Sequence, residues 1–141
     1  ALAGTFLDPG YDDFPNANIN NVPTDLSGQQ PAGIADTNLS LSANYDFNLT
    51  SSIDGFFRAD YQYESDVRVE ENTGDVSREV NTVNASAGLI FENGWSAQVW
   101  GRNIFDDEYV VGAFPPALQD GSINGFINDP ATYGVTLRKT F

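Results

Sequence analysis

Three observations predict an all-β fold, an antiparallel meander of about five or six strands. Apolar and polar residues alternate with a period of two in successive stretches, while the 3.6-residue period of an amphipathic helix is nearly absent. Clusters of Gly, Pro, Asn and Asp punctuate those stretches. The connections between them run long, short, long, short, long, which is the rhythm of hairpins with small turns at one end and large loops at the other.

Each element follows from its residues. Residues 1–7 form a short apolar start, a partial strand that breaks at Asp8-Pro9-Gly10. From there to Asp36 the chain is rich in Asn, Asp, Pro and Gly and reads as loop, pinned locally by Tyr11 and Phe14. Residues 37–47 alternate cleanly, with Leu39, Leu41, Ala43, Tyr45 and Phe47 on one face and Ser40, Ser42, Asn44 and Asp46 on the other. After a polar turn at 48–52, residues 53–65 return, setting Phe57, Ala59, Tyr61 and Tyr63 against Arg58, Asp60, Gln62 and Glu64. Residues 66–80 read as a charged loop with a turn near Asn72-Thr73-Gly74. Val83, Ala85, Ala87, Leu89 and Phe91 form the next apolar face, with Ile90 an exception on the polar side. Asn93-Gly94 predicts a type I′ turn. Trp95, Ala97, Val99 and Gly101 then alternate with Ser96, Gln98, Trp100 and Arg102. A second long loop spans 105–130, and Tyr133, Val135, Leu137 and Phe141 close the sequence opposite Thr132, Gly134, Thr136, Arg138 and Thr140.

The chain has 141 residues, the size of one domain. Hydrophobic residues make up 40%, with 10 Phe, 6 Tyr and 2 Trp, so there is enough apolar surface to order the chain despite a net charge of -14. No apolar run reaches the ~20 residues of a membrane helix, so a membrane reading has to be a β-barrel reading. With 0 Cys there are no disulfides or thiolate metal sites, and with 0 His the commonest general base and metal ligand is missing. The absence of Met, position 1 included, is expected of a processed or excerpted chain. Twenty acidic against six basic residues argue against nucleic acid as a partner.

Short turns at one end, long loops at the other and strands of about 9 to 11 residues are the pattern of a transmembrane β-barrel. The Leu, Val, Phe and Tyr face would meet lipid and the Ser, Asn, Asp, Arg and Gln face would line a polar lumen. Tyr45, Phe47, Trp95 and Phe141 fall on the short-turn side, where an aromatic girdle would lie. A soluble β-sandwich also alternates. The asymmetry of the connections and the Phe at position 141 favour the barrel segment.

Three stretches resemble the C-terminal barrel region of TonB-dependent outer-membrane receptors. W-G-R-N-I-F-D-D-E-Y (100–109) is similar to the penultimate-strand motif of that family, carried by Asn103, Ile104, Phe105, Asp106 and Tyr109. P-A-T-Y-G-V-T-L-R-K-T-F (130–141) resembles its terminal strand, and D-L-S-G-Q-Q-P (25–31) an earlier loop-to-strand element. The resemblance implies that Tyr133, Gly134, Val135, Leu137 and Phe141 act as the assembly signal read by the outer-membrane insertion machinery. It implies residues 1–141 as one C-terminal barrel segment, with the plug domain absent, and partners in the rest of the barrel, the plug and the TonB system. Lys139, on the lipid side, departs from the pattern and is expected to snorkel to the interface.

The function implied is a segment of a receptor taking up a scarce nutrient, a ferric siderophore, corrinoid or glycan, at the bacterial outer membrane. The alternative is a receptor-derived sheet fragment whose open edges pair with other copies into an extracellular filament, with Ca²⁺ as a candidate bridge between its acidic loops. No nucleophile and base can be assembled without His or Cys, so an enzyme is not expected. No cofactor is expected. Asp12, Asp13, Asp106, Asp107 and Glu108 are oxygen ligands in type, without EF-hand spacing, and the plainer reading is solvated acidic loops. Trp100 and Arg102 on the lumen face are candidate contacts to a ligand or plug, although such residues more often fill a wall.

Overall fold

The structure is a computed structural model and describes residues 1–118 and 121–141. Its strands are β1 (Leu2–Phe6), β2 (Ala17–Ile19), β3 (Val22–Thr24), β4 (Thr37–Thr50), β5 (Ile53–Arg68), β6 (Ser77–Phe91), β7 (Trp95–Arg102), β8 (Val110–Phe114), β9 (Asn124–Ile127) and β10 (Thr132–Lys139). Six of them form one antiparallel sheet in the order β1-β4-β5-β6-β7-β10. Each strand therefore pairs with the sheet strand next in sequence, a meander that does not close: β1 and β10 are both outer strands. These are the expected partial strand and five full ones. The remaining strands form two small hairpins, β2–β3 and β8–β9, inside the first and third long connections.

Register keeps the two faces chemically distinct across the sheet. Tyr45 faces Phe57, which faces Ala87, which faces Val99, which faces Val135. Because side chains alternate with period two, this single register gathers most apolar positions of the six strands on one face, with Phe56, Ile90 and Trp100 the large exceptions on the other. On the other face Asn44, Arg58, Ser86, Trp100 and Gly134 form the corresponding row.

Several loop expectations are corrected. Residues 8–36 contain the β2–β3 hairpin, whose two-residue turn is Asn20-Asn21 with φ of 52° and 66°. Two consecutive left-handed residues are what a type I′ turn demands, and Asn tolerates that region because its amide can bond locally. The 105–130 loop contains β8–β9. The charged loop is shorter than 66–80, since β5 runs to Arg68 and β6 begins at Ser77. Past a bulge between Glu64 and Val67, pairing resumes, with Arg78 salt-bridged to Glu64 at 2.6 Å and Val67 buried. Likewise β4 continues to Thr50, leaving only Ser51 and Ser52 as the turn.

The Asn93-Gly94 turn is not type I′. Only Gly94 is left-handed, at φ 84°, and its N–H donates to the Phe91 carbonyl. This is a three-residue loop closed by a glycine bulge, in which Asn93 instead accepts the Trp95 N–H on its side-chain oxygen.

The buried apolar side chains are small in number and sit away from the sheet. Among the described residues they are Ala17, Leu26, Ala35 and Val67, all at the long-loop end. The apolar sheet face is open: Leu2, Tyr45, Val99, Val135 and Leu137 are all exposed, Val135 by 71%. A stable domain ordinarily covers such a face with a second layer. Here no second layer is present among the described residues.

Candidate functional site

The Asn103–Tyr109 motif and Tyr133-Gly134 meet where β7 ends and β10 begins. β7 ends at Arg102, and the chain turns through Asn103, a non-glycine residue at φ 47° that is only 7% exposed. Its backbone N–H is capped by the Asn84 side chain on β6. Its own amide does the rest: Oδ1 accepts the Asp107 N–H at 2.9 Å, while Nδ2 donates to the carbonyls of Asp107 and Asp129. A side chain with both acceptor and donors is required, which only Asn or Gln supplies, and only Asn is short enough to serve its own corner.

The acids of the same motif are used locally. Asp106, also left-handed at φ 56°, accepts the Ala131 N–H, and Asp107 accepts the Asn81 N–H. Asn128 completes the corner, donating to the Asp107 carbonyl while its Oδ1 accepts the Tyr109 N–H. Ile104 is half-buried and Phe105 is 74% exposed. The N-I-F-D-x-E-Y stretch is thus a hydrogen-bonded corner that fixes where β10 re-enters the sheet. Asn84 and Asn128 belong to it as much as Asn103 and were not legible beforehand, since a lone Asn in a strand or loop carries no signal of its partner.

A second feature ties β7 to β10. Tyr133 pairs with Gly101 and Gly134 pairs with Trp100. On the apolar face the Tyr133 ring covers Gly101, so that a Cβ there would meet Tyr133 Cδ1 at 2.9 Å. On the polar face the Trp100 ring covers Gly134 even more closely. Each aromatic shields the bare backbone opposite it, one on each side of the sheet, an arrangement that restores the packing a strand glycine lacks. The indole Nε1–H donates to Thr136 Oγ1, and the Tyr133 hydroxyl donates to the Ile104 carbonyl, so both rings are pinned.

At its far end β10 docks on the 92–94 loop. The Thr140 N–H donates to the Gly94 carbonyl, and Lys139 reaches the Asn93 carbonyl while lying over the Trp95 ring. The Lys139 ammonium is thus held at the 92–94 loop, at the short-turn end of the sheet. Val135, Leu137 and Tyr133 project from the apolar face and are exposed; Phe141 lies beyond the strand and is fully exposed.

At the long-loop end Glu71 joins two connections. Its Oε1 accepts the Tyr11 hydroxyl and the Ala32 N–H, and Arg68 pairs with it at 3.0 Å. Burial, and then the hydrogen bond to and charge of Glu71, hold the Tyr11 phenol above its ordinary range. In the 25–31 element Asp25 accepts the Ser27 N–H, and hydrogen bonds from the Ser27 side chain and backbone hold its carboxyl below the ordinary range.

The acidic candidates are not brought together. Asp12 and Asp13 are exposed in the first connection, Asp106 and Asp107 accept the backbone N–H groups of Ala131 and of Asn81 on β6, and Glu108 is exposed. Among the described residues no three acidic side chains form a group that could hold a metal ion.

Compared with known proteins, the chain matches no family model, no curated protein and no solved structure.

Proposed function

We propose that the chain is a wall segment of a transmembrane β-barrel, the C-terminal part of a receptor of the TonB-dependent type, serving energy-coupled uptake of a scarce nutrient of the siderophore, corrinoid or glycan class. The observation that carries this reading is the open apolar face. It runs across six strands, opposite a face of mainly Ser, Asn, Thr, Gln and charged residues in which Phe56, Ile90 and Trp100 are the large exceptions. Water disfavours an exposed apolar surface of this extent at roughly 25 cal/mol per Å², whereas lipid accommodates it without cost. The apolar positions of β4 run from Leu39 to Phe47, close to the about 9 to 11 residues with which a tilted strand crosses a bilayer.

Further support comes from the ends of that face. Tyr45 and Phe47, stacked at 5.6 Å, together with Phe91 and Trp95, lie toward the short turns. Tyr61, Tyr63 and Tyr133 lie toward the long connections. Ala, Val and Leu fill the positions between, which is the order of an aromatic-girdled apolar band. In this reading Asn103 and its corner set the last hairpin, and Tyr133, Gly134, Val135, Leu137 and Phe141 are the residues the insertion machinery would recognise. The remaining barrel strands would pair with the outer edges of β1 and β10.

Those same two free edges favour a second reading, in which copies of the sheet pair edge to edge into a filament. Brominated-lipid quenching separates the two. With Trp100→Phe, emission from Trp95 on the apolar face should be strongly quenched in bilayers; with Trp95→Phe, emission from Trp100 on the polar face should be largely spared. Equal quenching of both, or of neither in a lipid-free fibre, rejects the barrel reading. The intact mass of the native polypeptide tests the receptor assignment separately: a receptor requires additional strands and a plug.

A further inference from the structure

The polar face repeats one small construction. Phe56 on β5 lies over Gly88, its cross-strand partner on β6, and Arg58, two residues along the same face, holds its guanidinium 4.9 Å from that ring. Trp100 on β7 lies over Gly134 on β10, and Arg102, again two residues along, sits 5.6 Å from the indole. In both places a glycine opens room for an aromatic ring, and the ring becomes a shelf for a guanidinium. Stacking on a fixed ring removes much of the rotamer freedom that an arginine loses on binding a ligand.

These two guanidiniums are short of partners in an acidic chain. Of the six basic residues, Arg68 pairs with Glu71, Arg78 with Glu64, and Lys139 reaches a backbone carbonyl. Among the described residues Arg58 and Arg102 have no carboxylate within 4.0 Å and donate no hydrogen bond, although Asp60 lies on the same face. Both border one cleft of about 450 Å³, together with Asp60, Asn84, Gln98 and Trp100. That volume falls in the range of small-molecule sites, about 300 to 1,000 Å³. Planar, preorganised, unpaired guanidiniums match carboxylate and phosphate. The neighbouring amides and the Asp60 carboxylate match hydroxyl groups.

We propose that this cleft binds a small hydroxyl-bearing anion, with Arg58 and Arg102 taking its carboxylate or phosphate and Asn84, Gln98 and Asp60 its hydroxyls. The inference uses the polar face alone and is independent of what covers the apolar one.

The test uses Trp100 as reporter in the full chain carrying Trp95→Phe. Citrate, glycerol 3-phosphate and neutral glycerol are titrated while indole emission is followed. A saturable change is expected with citrate or glycerol 3-phosphate and not with glycerol, and the more tightly bound anion identifies the acidic group. Arg58→Gln or Arg102→Gln should weaken it at least about tenfold. Arg102→Lys, which keeps the charge but loses the fork, should fall between, and Arg138→Gln, outside the cleft, should leave it unchanged. Circular dichroism establishes that each variant keeps its sheet. No saturable response to either anion, equal affinity in the Gln variants, or equal weakening by Arg138→Gln overturns the proposal.

Discussion

Asn103 and Gly134 are the residues on which the last hairpin depends. Asn103→Ala removes one acceptor and two donors from a nearly buried corner and leaves a left-handed backbone without its local bonds. A loss of about 2–4 kcal/mol is expected in denaturant unfolding. Asn103→Gly should lose less, because it relieves the backbone but not the amide network. A glycine-to-alanine change usually stabilises by about 0.4–1 kcal/mol through the unfolded chain. At Gly134 the sign should reverse, to a loss of about 1–3 kcal/mol, since the new Cβ meets the pinned Trp100 ring. Combining Gly134→Ala with Trp100→Ala should recover part of that loss in a double-mutant cycle.

The first long connection holds two acidic groups whose pKa values are shifted in opposite directions. Asp25, with its folded carboxyl lowered, contributes stability above the ordinary aspartate value of about 4 and loses it as pH falls through the lowered value. Tyr11, with its phenol raised, contributes below the ordinary value of about 10 and loses it as pH rises through the raised one. Proteolysis of residues 8–36 should therefore be slowest between those limits. Tyr11→Phe should remove the alkaline limb alone. The β2–β3 turn offers a second check. Asn21→Gly should be tolerated, because glycine adopts φ 66° freely, whereas Asn21→Val should destabilise the hairpin by about 1–2 kcal/mol, as read by hydrogen exchange of Ile19 and Val22.

The molecule as a whole presents one open apolar face and one polar face, and charge substitution distinguishes their surroundings. Val99→Arg or Leu137→Arg, at exposed positions, would be near neutral if the apolar face met water. Against lipid each should cost about 2–4 kcal/mol near mid-bilayer. Gln98→Arg and Thr136→Arg, one residue away on the polar face, should be tolerated in either medium. Folding efficiency into bilayers of the four variants reads the difference.

Alternation along 37–47, 53–65, 83–91, 95–102 and 132–141 was enough to specify five strands, and the apolar start at 1–7 a partial sixth, with their antiparallel order and which face is apolar. This is so because a period of two and adjacent pairing leave a meander few other solutions. The asymmetry of the connections was legible for the same reason. The corner at Asn103 was visible as a motif but not as chemistry, since its partners Asn84, Asn128 and Asp129 are 19 to 26 residues away. The Asn20-Asn21 hairpin and the bulged turn at Gly94 depended on φ angles that composition only biases. The two aromatic-over-glycine stacks with their arginines arise from cross-strand register, a long-range property that local pattern does not encode. Tertiary structure alone could decide that the apolar face of the sheet remains uncovered among the described residues, because burial depends on what else the chain folds against it.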